Sequence, residues 1–144
     1  MAIGLLSLIV AAVFFGAALY VNVVEHPARL SLDDRAALAE WKPAYKRGTA
    51  MQAPLAILGF ILGLIAWWLT AHAAFLIGAI AMIAPWPWTL LVIKPINDHL
   101  VATDPHRAGP SSRELLIRWG RLHAVRTVLS AIGVIAFLVA CLSR

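Results

Sequence analysis

The sequence carries little charge for its length and almost no sulfur chemistry. Lys, Arg, Asp and Glu make up 13% of its 144 residues and hydrophobic types 62%, against roughly 25% and about 45–50% in soluble domains. A soluble core of this size cannot hide so much apolar side chain, whereas lipid accepts it. The single cysteine, Cys141, excludes an intrachain disulfide, and without a CxxC pair the four-helix thiol oxidoreductases of similar size are excluded. Walker, GxGxxG and HExxH motifs are missing. The first apolar stretch is uncharged until its end, unlike that of the small multidrug exporters, which rely on a carboxylate deep in helix one. There is no Lys or Arg before Arg29, and the net charge of +5 is concentrated in two interhelical segments. Basic residues so placed read as topology determinants against anionic head groups, with no role in binding nucleic acid.

What is present is apolar length. Residues 3–24 carry no charge and cover a hydrocarbon core of about 30 Å at about 1.5 Å per residue. The stretch is too long for a signal-peptide core and ends in Glu25-His26-Pro27 without a small-residue cleavage site, so it reads as a retained helix. Residues 49–93 are long enough for two crossings, divided by a turn at Thr70-Ala71-His72 with Trp67 and Trp68 beside it. Asp104-Pro105 and Ala108-Gly109-Pro110 mark a loop, after which Ser111 or Ser112 caps a last helix. One domain follows, with helices at about 3–24, 50–70, 73–93 and 117–142. Between the first two, Ser31 looks like a cap. Leu32, Ala36, Ala39, Trp41 and Tyr45 alternate with Arg35, Glu40, Lys42 and Lys46, which predicts an amphipathic surface helix broken before Pro43.

The expected fold is thus an all-α integral membrane four-helix bundle running up-down-up-down. Arg29, Arg35, Lys42, Lys46 and Arg47 lie in one large loop, and Lys94, Arg107, Arg113, Arg118 and Arg121 in or beside the other. Only Arg144 falls on the opposite side. The positive-inside rule then puts both large loops in the cytoplasm and both termini outside, in a multi-pass protein of the cell inner membrane.

Polar chemistry gathers at the loop-bearing end. His26, His99, His106 and His123 all fall there, and up-down topology brings the first, second and last of these to one depth. At about 100° per residue, Trp119, His123, Arg126, Ser130 and Gly133 share one stripe of the last helix. Such a stripe faces the bundle interior or a wet cavity, with snorkelling of Arg126 to head groups as the alternative. Glu25 beside His26, with Asn22 one turn earlier, suits a general base or a metal ligand, and equally suits a polar helix end. Pro85-Trp86-Pro87-Trp88 frees the carbonyls of Ala81 and Ile83, marking a kink or a pocket wall lined by Trp86 and Trp88. Asn97, Tyr45 and Gln52 lie at the same depth. Gly59 and Gly63 form a GxxxG pair that serves packing within the chain or a homodimer.

Asn-Val-Val-Glu-His-Pro (22–27), Trp41, Tyr45-Lys46-Arg47, Pro95-Ile96-Asn97 and Trp119-Gly120-Arg121-Leu122-His123-Ala124-Val125-Arg126 together resemble the anthrone oxygenase family of small four-helix membrane proteins. The resemblance spans nearly the whole chain. It implies oxidation of an apolar anthrone- or quinone-like aromatic by dioxygen without an added cofactor. The polar residues above can be cast in that reaction, with Glu25, His26, Asn97, Trp119, His123 and Arg126 as the catalytic set and Tyr45, Gln52, Trp86 and Trp88 on the substrate. In that scheme His123 or His26 removes a proton, and Arg126 and Asn97 stabilise the developing oxyanion by on the order of 3 kcal/mol each. Two other readings compete. One is a metal or haem protein using His26, His99 and His123 for copper, iron or zinc. The other is a non-catalytic accessory protein whose polar face meets lipid or a partner.

Overall fold

The structure, a computed structural model, describes residues 2–143. Among these every regular element is helical, and four helices are long and apolar enough to cross a membrane: α1 (Ala2–Leu30), α2 (Asp34–Thr70), α3 (Ala73–Ala102) and α4 (Pro110–Leu142). The chain therefore reads as a multi-pass membrane protein. Contacts run α1 to α2, α2 to α3, α3 to α4 and α4 back to α1, closing a four-helix ring. Arg144 lies outside the described residues.

All four helices outrun their expected bounds at the loop-bearing end. No separate surface helix precedes α2, which runs unbroken through Pro43 and Pro54. Each proline removes one backbone donor, and tertiary packing offsets the loss, because Ala37, Leu38 and Trp41 on the supposed surface segment are fully buried. Lys42 then ties the segment to the end of α3, its Nζ donating to the carbonyls of Val101 (2.9 Å) and Thr103 (2.6 Å). The cap of α2 is Asp33, whose Oδ1 accepts from Ala36 N at 2.9 Å. Ser31 donates instead to Ala28 O, closing α1. Arg113, expected as a solvated loop charge, pairs with Asp34 and donates to the carbonyls of Leu30 and Leu32, so it clamps the α1–α2 connection. At the start of α4, Ser112 accepts from Gly109 N at 3.0 Å.

At the other end the expected turn between α2 and α3 is present. Ala71 is left-handed (φ 54°), and His72 Nδ1 accepts from Ala74 N to start α3. Small residues bring the helices together in the middle: a Cβ added to Gly78 would lie 2.4 Å from the Phe137 ring. Gly59 packs against Met82 and Gly63 against Phe137, so the GxxxG pair is used inside the chain.

Two apolar clusters fill the ring. One holds Phe14, Ala56, Phe75, Met82 and Phe137. The other, toward the loops, holds Leu38, Trp41, Ile93, Leu100, Leu116 and Trp119. Gln52 and Arg126 fall between the two clusters along their helices. That gap is where polar groups collect.

Candidate functional site

Two prolines shape the walls of that gap. Pro27 and Pro95 each lack an N–H, so the carbonyl four residues earlier loses its partner. In both places the preceding turn widens to π geometry, at Val21–Glu25 and Thr89–Ile93. The residue before each proline bonds five residues back: His26 N–H to Val21 O, and Lys94 N–H to Thr89 O. Such turns recur at functional sites because the extra residue re-aims the side chains around it. Here they carry Asn22 and Glu25 on α1, and Thr89 on α3 just before Asn97.

A cavity of about 400 Å³ opens between α1 and α2. Glu25, Tyr45, Gln52, Asn97, Trp119, His123 and Arg126 are among its lining residues. Seven of the expected site residues are thus brought to one hollow. A second cavity of about 290 Å³ lies between α2 and α3 and shares Tyr45, Thr49, Asn97 and Arg126 with the first. Arg126 points inward, its Nη2 donating to Gln52 Oε1 at 3.1 Å and its guanidinium lying 5.8 Å from the Phe14 ring centre. Snorkelling is not what this side chain does.

Aromatic rings stack at and behind the wall of the larger cavity, Tyr45, Trp119 and His123 lining it and Trp41 and His26 backing them. Tyr45 stacks on Trp41 (4.8 Å, 4°), Trp41 meets Trp119 edge-on, and Trp119 stacks on His123 (4.9 Å) while touching His26 (5.2 Å). Trp119 Nε1 donates to Asn97 Oδ1 at 2.9 Å, which fixes both residues at the cavity wall.

The two imidazoles differ in their free atoms. Asn22 Nδ2 donates to Gly120 O (3.0 Å), so its Oδ1 is the acceptor facing Thr127 Oγ1 (2.6 Å) and His123 Nδ1 (2.8 Å). His123 therefore holds its proton on Nδ1, and Nε2 keeps the lone pair. For His26 the order reverses. Arg29 Nη1 donates to its Nδ1 at 2.9 Å, and a guanidinium has no lone pair to accept with, so the His26 proton sits on Nε2. His26 also packs on Gly120, where a Cβ would come within 2.5 Å of Nε2, and it lines neither cavity.

Arg29 is the residue that sequence reasoning missed. It was counted among the topology charges, yet it is 2% exposed. It pairs with Glu25 and Glu40, donates to His26 and lies 5.9 Å from the Trp119 ring centre. The signal was present in the i, i+3 and i+4 spacing of Glu25, His26 and Arg29 on one helical face. Thr127 was missed as well.

Other expectations are corrected. His99 is exposed and borders a different groove with Ser111, Glu114 and Arg118, away from His26 and His123. Among the described residues, no group of three His, Cys, Asp or Glu is placed to hold a metal ion, so the His26–His99–His123 set is not assembled. Trp88 lines neither cavity and serves as a strut, its Nε1 donating to Leu122 O at 3.0 Å. Trp86 does line the smaller cavity, as Pro85 does. His106 is exposed and contacts Arg35.

Comparison with known proteins identifies a family. The sequence profile of the anthrone oxygenase family matches residues 41–136, which include Trp41, Tyr45, Gln52, Asn97, Trp119, His123 and Arg126. An anthrone oxygenase of Pestalotiopsis fici is 31% identical over 112 residues, covering 67% of this chain and 78% of that relative. No solved structure matches. The chain belongs to the anthrone oxygenase family.

Proposed function

We propose that this protein is a membrane-embedded oxygenase that converts an anthrone-like aromatic to its quinone with dioxygen, using its own side chains as the catalytic apparatus. The observation that carries the reading is His123: a buried imidazole at a cavity wall, its proton held on Nδ1 by Asn22 and its lone pair left on Nε2. Nε2 removes a proton from the activated methylene of the substrate, leaving a delocalised enolate. Arg126 and Asn97 stand at the same wall. Arg126 stabilises the developing negative charge, and Asn97 Nδ2 is left to donate because Oδ1 is engaged by Trp119. The enolate passes an electron to dioxygen, and the two radicals combine in a new C–O bond. The imidazolium returns its proton to the resulting peroxide. Loss of the second C–H proton with cleavage of the O–O bond then yields the carbonyl and one water. One dioxygen is consumed for each CH2 that becomes C=O.

His26 supports this site from behind. With Nδ1 occupied by Arg29 and no place at either cavity, it positions Trp119, and Glu25 anchors Arg29. The aromatic wall suits a flat apolar substrate, and the opening between α1 and α2, flanked by exposed Tyr20 and Met51, suits entry from lipid. We place the loop-bearing end in the cytoplasm on the strength of its basic residues.

Oxygen uptake by membranes containing the protein, with 1,8-dihydroxyanthrone as substrate, tests the reading. The expected result is uptake matched one to one by quinone absorbance, falling at least ~100-fold in His123→Gln. A rate no higher than that of empty membranes would sink the proposal.

A further inference from the structure

Turning a CH2 into C=O takes two protons from one carbon, and His123 accounts for the first. The two hydrogens of the activated methylene project from opposite faces of the flat ring. His123 removes the one on its own face, and its imidazolium then protonates the peroxide, so the new C–O bond stands on that face too. The remaining hydrogen points away from Nε2. A second acceptor has to meet it from another part of the wall.

Glu25 is the one carboxylate among the described residues that line the larger cavity. It reaches the wall from α1, whereas His123 reaches it from α4. The π turn at Val21–Glu25 gives two nearby residues different neighbours: Asn22 bonds Gly120, His123 and Thr127 of α4, while Glu25 borders the hollow. Arg29 Nη2 donates to Glu25 Oε1, and Oε2 has no hydrogen-bond partner. Among the described residues, the fully buried polar side-chain atoms without a partner are His26 Nε2, Trp41 Nε1, Thr89 Oγ1 and Arg126 Nε. Glu25 Oε2 and His123 Nε2 are not among them, so both of these unpartnered atoms keep accessible surface. The Glu25 side chain as a whole is 29% exposed. Arg29 shares its single charge with Glu40, whose side chain is 42% exposed. The trio formally carries one net negative charge, and a proton taken up by Glu25 leaves Arg29 paired with Glu40.

We propose that Glu25 is a second catalytic base, whose Oε2 removes the remaining hydrogen from the hydroperoxide carbon and so forms the quinone. The proposal rests on the reading of the larger cavity as an oxygenase site. As Oε2 takes the proton, the C–H electron pair becomes the second bond of the carbonyl, the O–O bond breaks and hydroxide leaves. Protonated Glu25 then gives its proton to hydroxide, which forms water and restores the carboxylate. One atom of dioxygen stays in the carbonyl and the other leaves as water. His123 opens the reaction and Glu25 closes it, with Arg29 holding the second base in place through Oε1.

The test follows dioxygen and quinone separately in a single turnover of 1,8-dihydroxyanthrone by the full-length protein in lipid nanodiscs, with hydroperoxide measured by its oxidation of ferrous ion. Wild type is expected to form quinone as fast as it consumes dioxygen. Glu25→Gln keeps the shape and removes the acceptor. Its uptake should stay within about threefold of wild type, while quinone appears ~100-fold more slowly and hydroperoxide accumulates to match the difference. Glu25→Asp keeps the charge and draws the carboxylate back by one methylene, so quinone should lag by roughly 10-fold. It carries the test alone if Glu25→Gln does not bind the quinone product. Glu40→Gln removes the other carboxylate on Arg29 and should leave uptake and quinone coupled one to one. Uptake and quinone that stay coupled or slow together in the Glu25 variants, or equal uncoupling in Glu40→Gln, overturns the second base. The two readings fail separately: wild-type uptake equal to that of empty membranes removes the oxygenase, whereas coupled turnover in the Glu25 variants removes only the role of Glu25.

Discussion

Replacing Asn22 by Leu removes the amide that sets the His123 tautomer while keeping the same branched outline of four heavy atoms. Three hydrogen bonds go with it: the donation to Gly120 O and the acceptance from Thr127 and His123. Gly120 O retains an intrahelical role, so the main cost falls on the two donors left without an acceptor. At about 1 kcal/mol each, the folded state loses about 2 kcal/mol. The catalytic effect is separate. Freed from Asn22, the imidazole exchanges its proton between nitrogens and turns about its side chain. Turnover should fall roughly 10–100-fold, the scale of losses when a partner that orients a catalytic histidine is removed. KM should stay within about threefold, because Asn22 is absent from the cavity wall. Nitrogen NMR of protein labelled at histidine gives the direct readout: a protonated Nδ1 for His123 in wild type, and mixed tautomers in Asn22→Leu. A variant that keeps both the Nδ1–H signature and wild-type turnover would show that Asn22 is only a packing residue.

The buried guanidinium and the close helix packing give two more expectations. Arg29→Met leaves Glu25 and His26 without their shared donor, and because the carboxylates stay partly solvated the loss should cost about 1–3 kcal/mol. Arg29→Lys should restore less than half of that, since one ammonium cannot reproduce the planar fork; denaturant titration in detergent micelles measures both, and full rescue by Lys would refute the geometry. Gly78→Ala drives a methyl to 2.4 Å from the Phe137 ring, whereas Gly16→Ala meets nothing within 4 Å. The first should destabilise by about 1–3 kcal/mol and the second should not, and equal effects in the same titration would contradict the packing.

Hydropathy and helical periodicity are local, and they carried what the sequence determined by itself. The four spans, the turn at Ala71 and the inward stripe of Trp119, His123 and Arg126 follow from the price of exposing polar groups to hydrocarbon. That price acts on each residue irrespective of its neighbours in space. The family motifs are similarly local, and they pointed to residues that the fold does gather at one cavity. Long-range contact decided the rest. Nothing within a few residues of Arg29 says that Glu40, from the next helix, closes over it, so a buried anchor looked like a head-group charge. Pro43 looked like a helix end because the burial of Trp41 that offsets it comes from other helices. His99 and Trp88 lay at the right depth, but depth does not fix rotation about the helix axis. The widened turn after Thr89 separates the two stretches of α3 by one extra residue, which only the assembled backbone reveals. A site between helices depends on azimuth as much as on height, and azimuth is set by how the four helices pack.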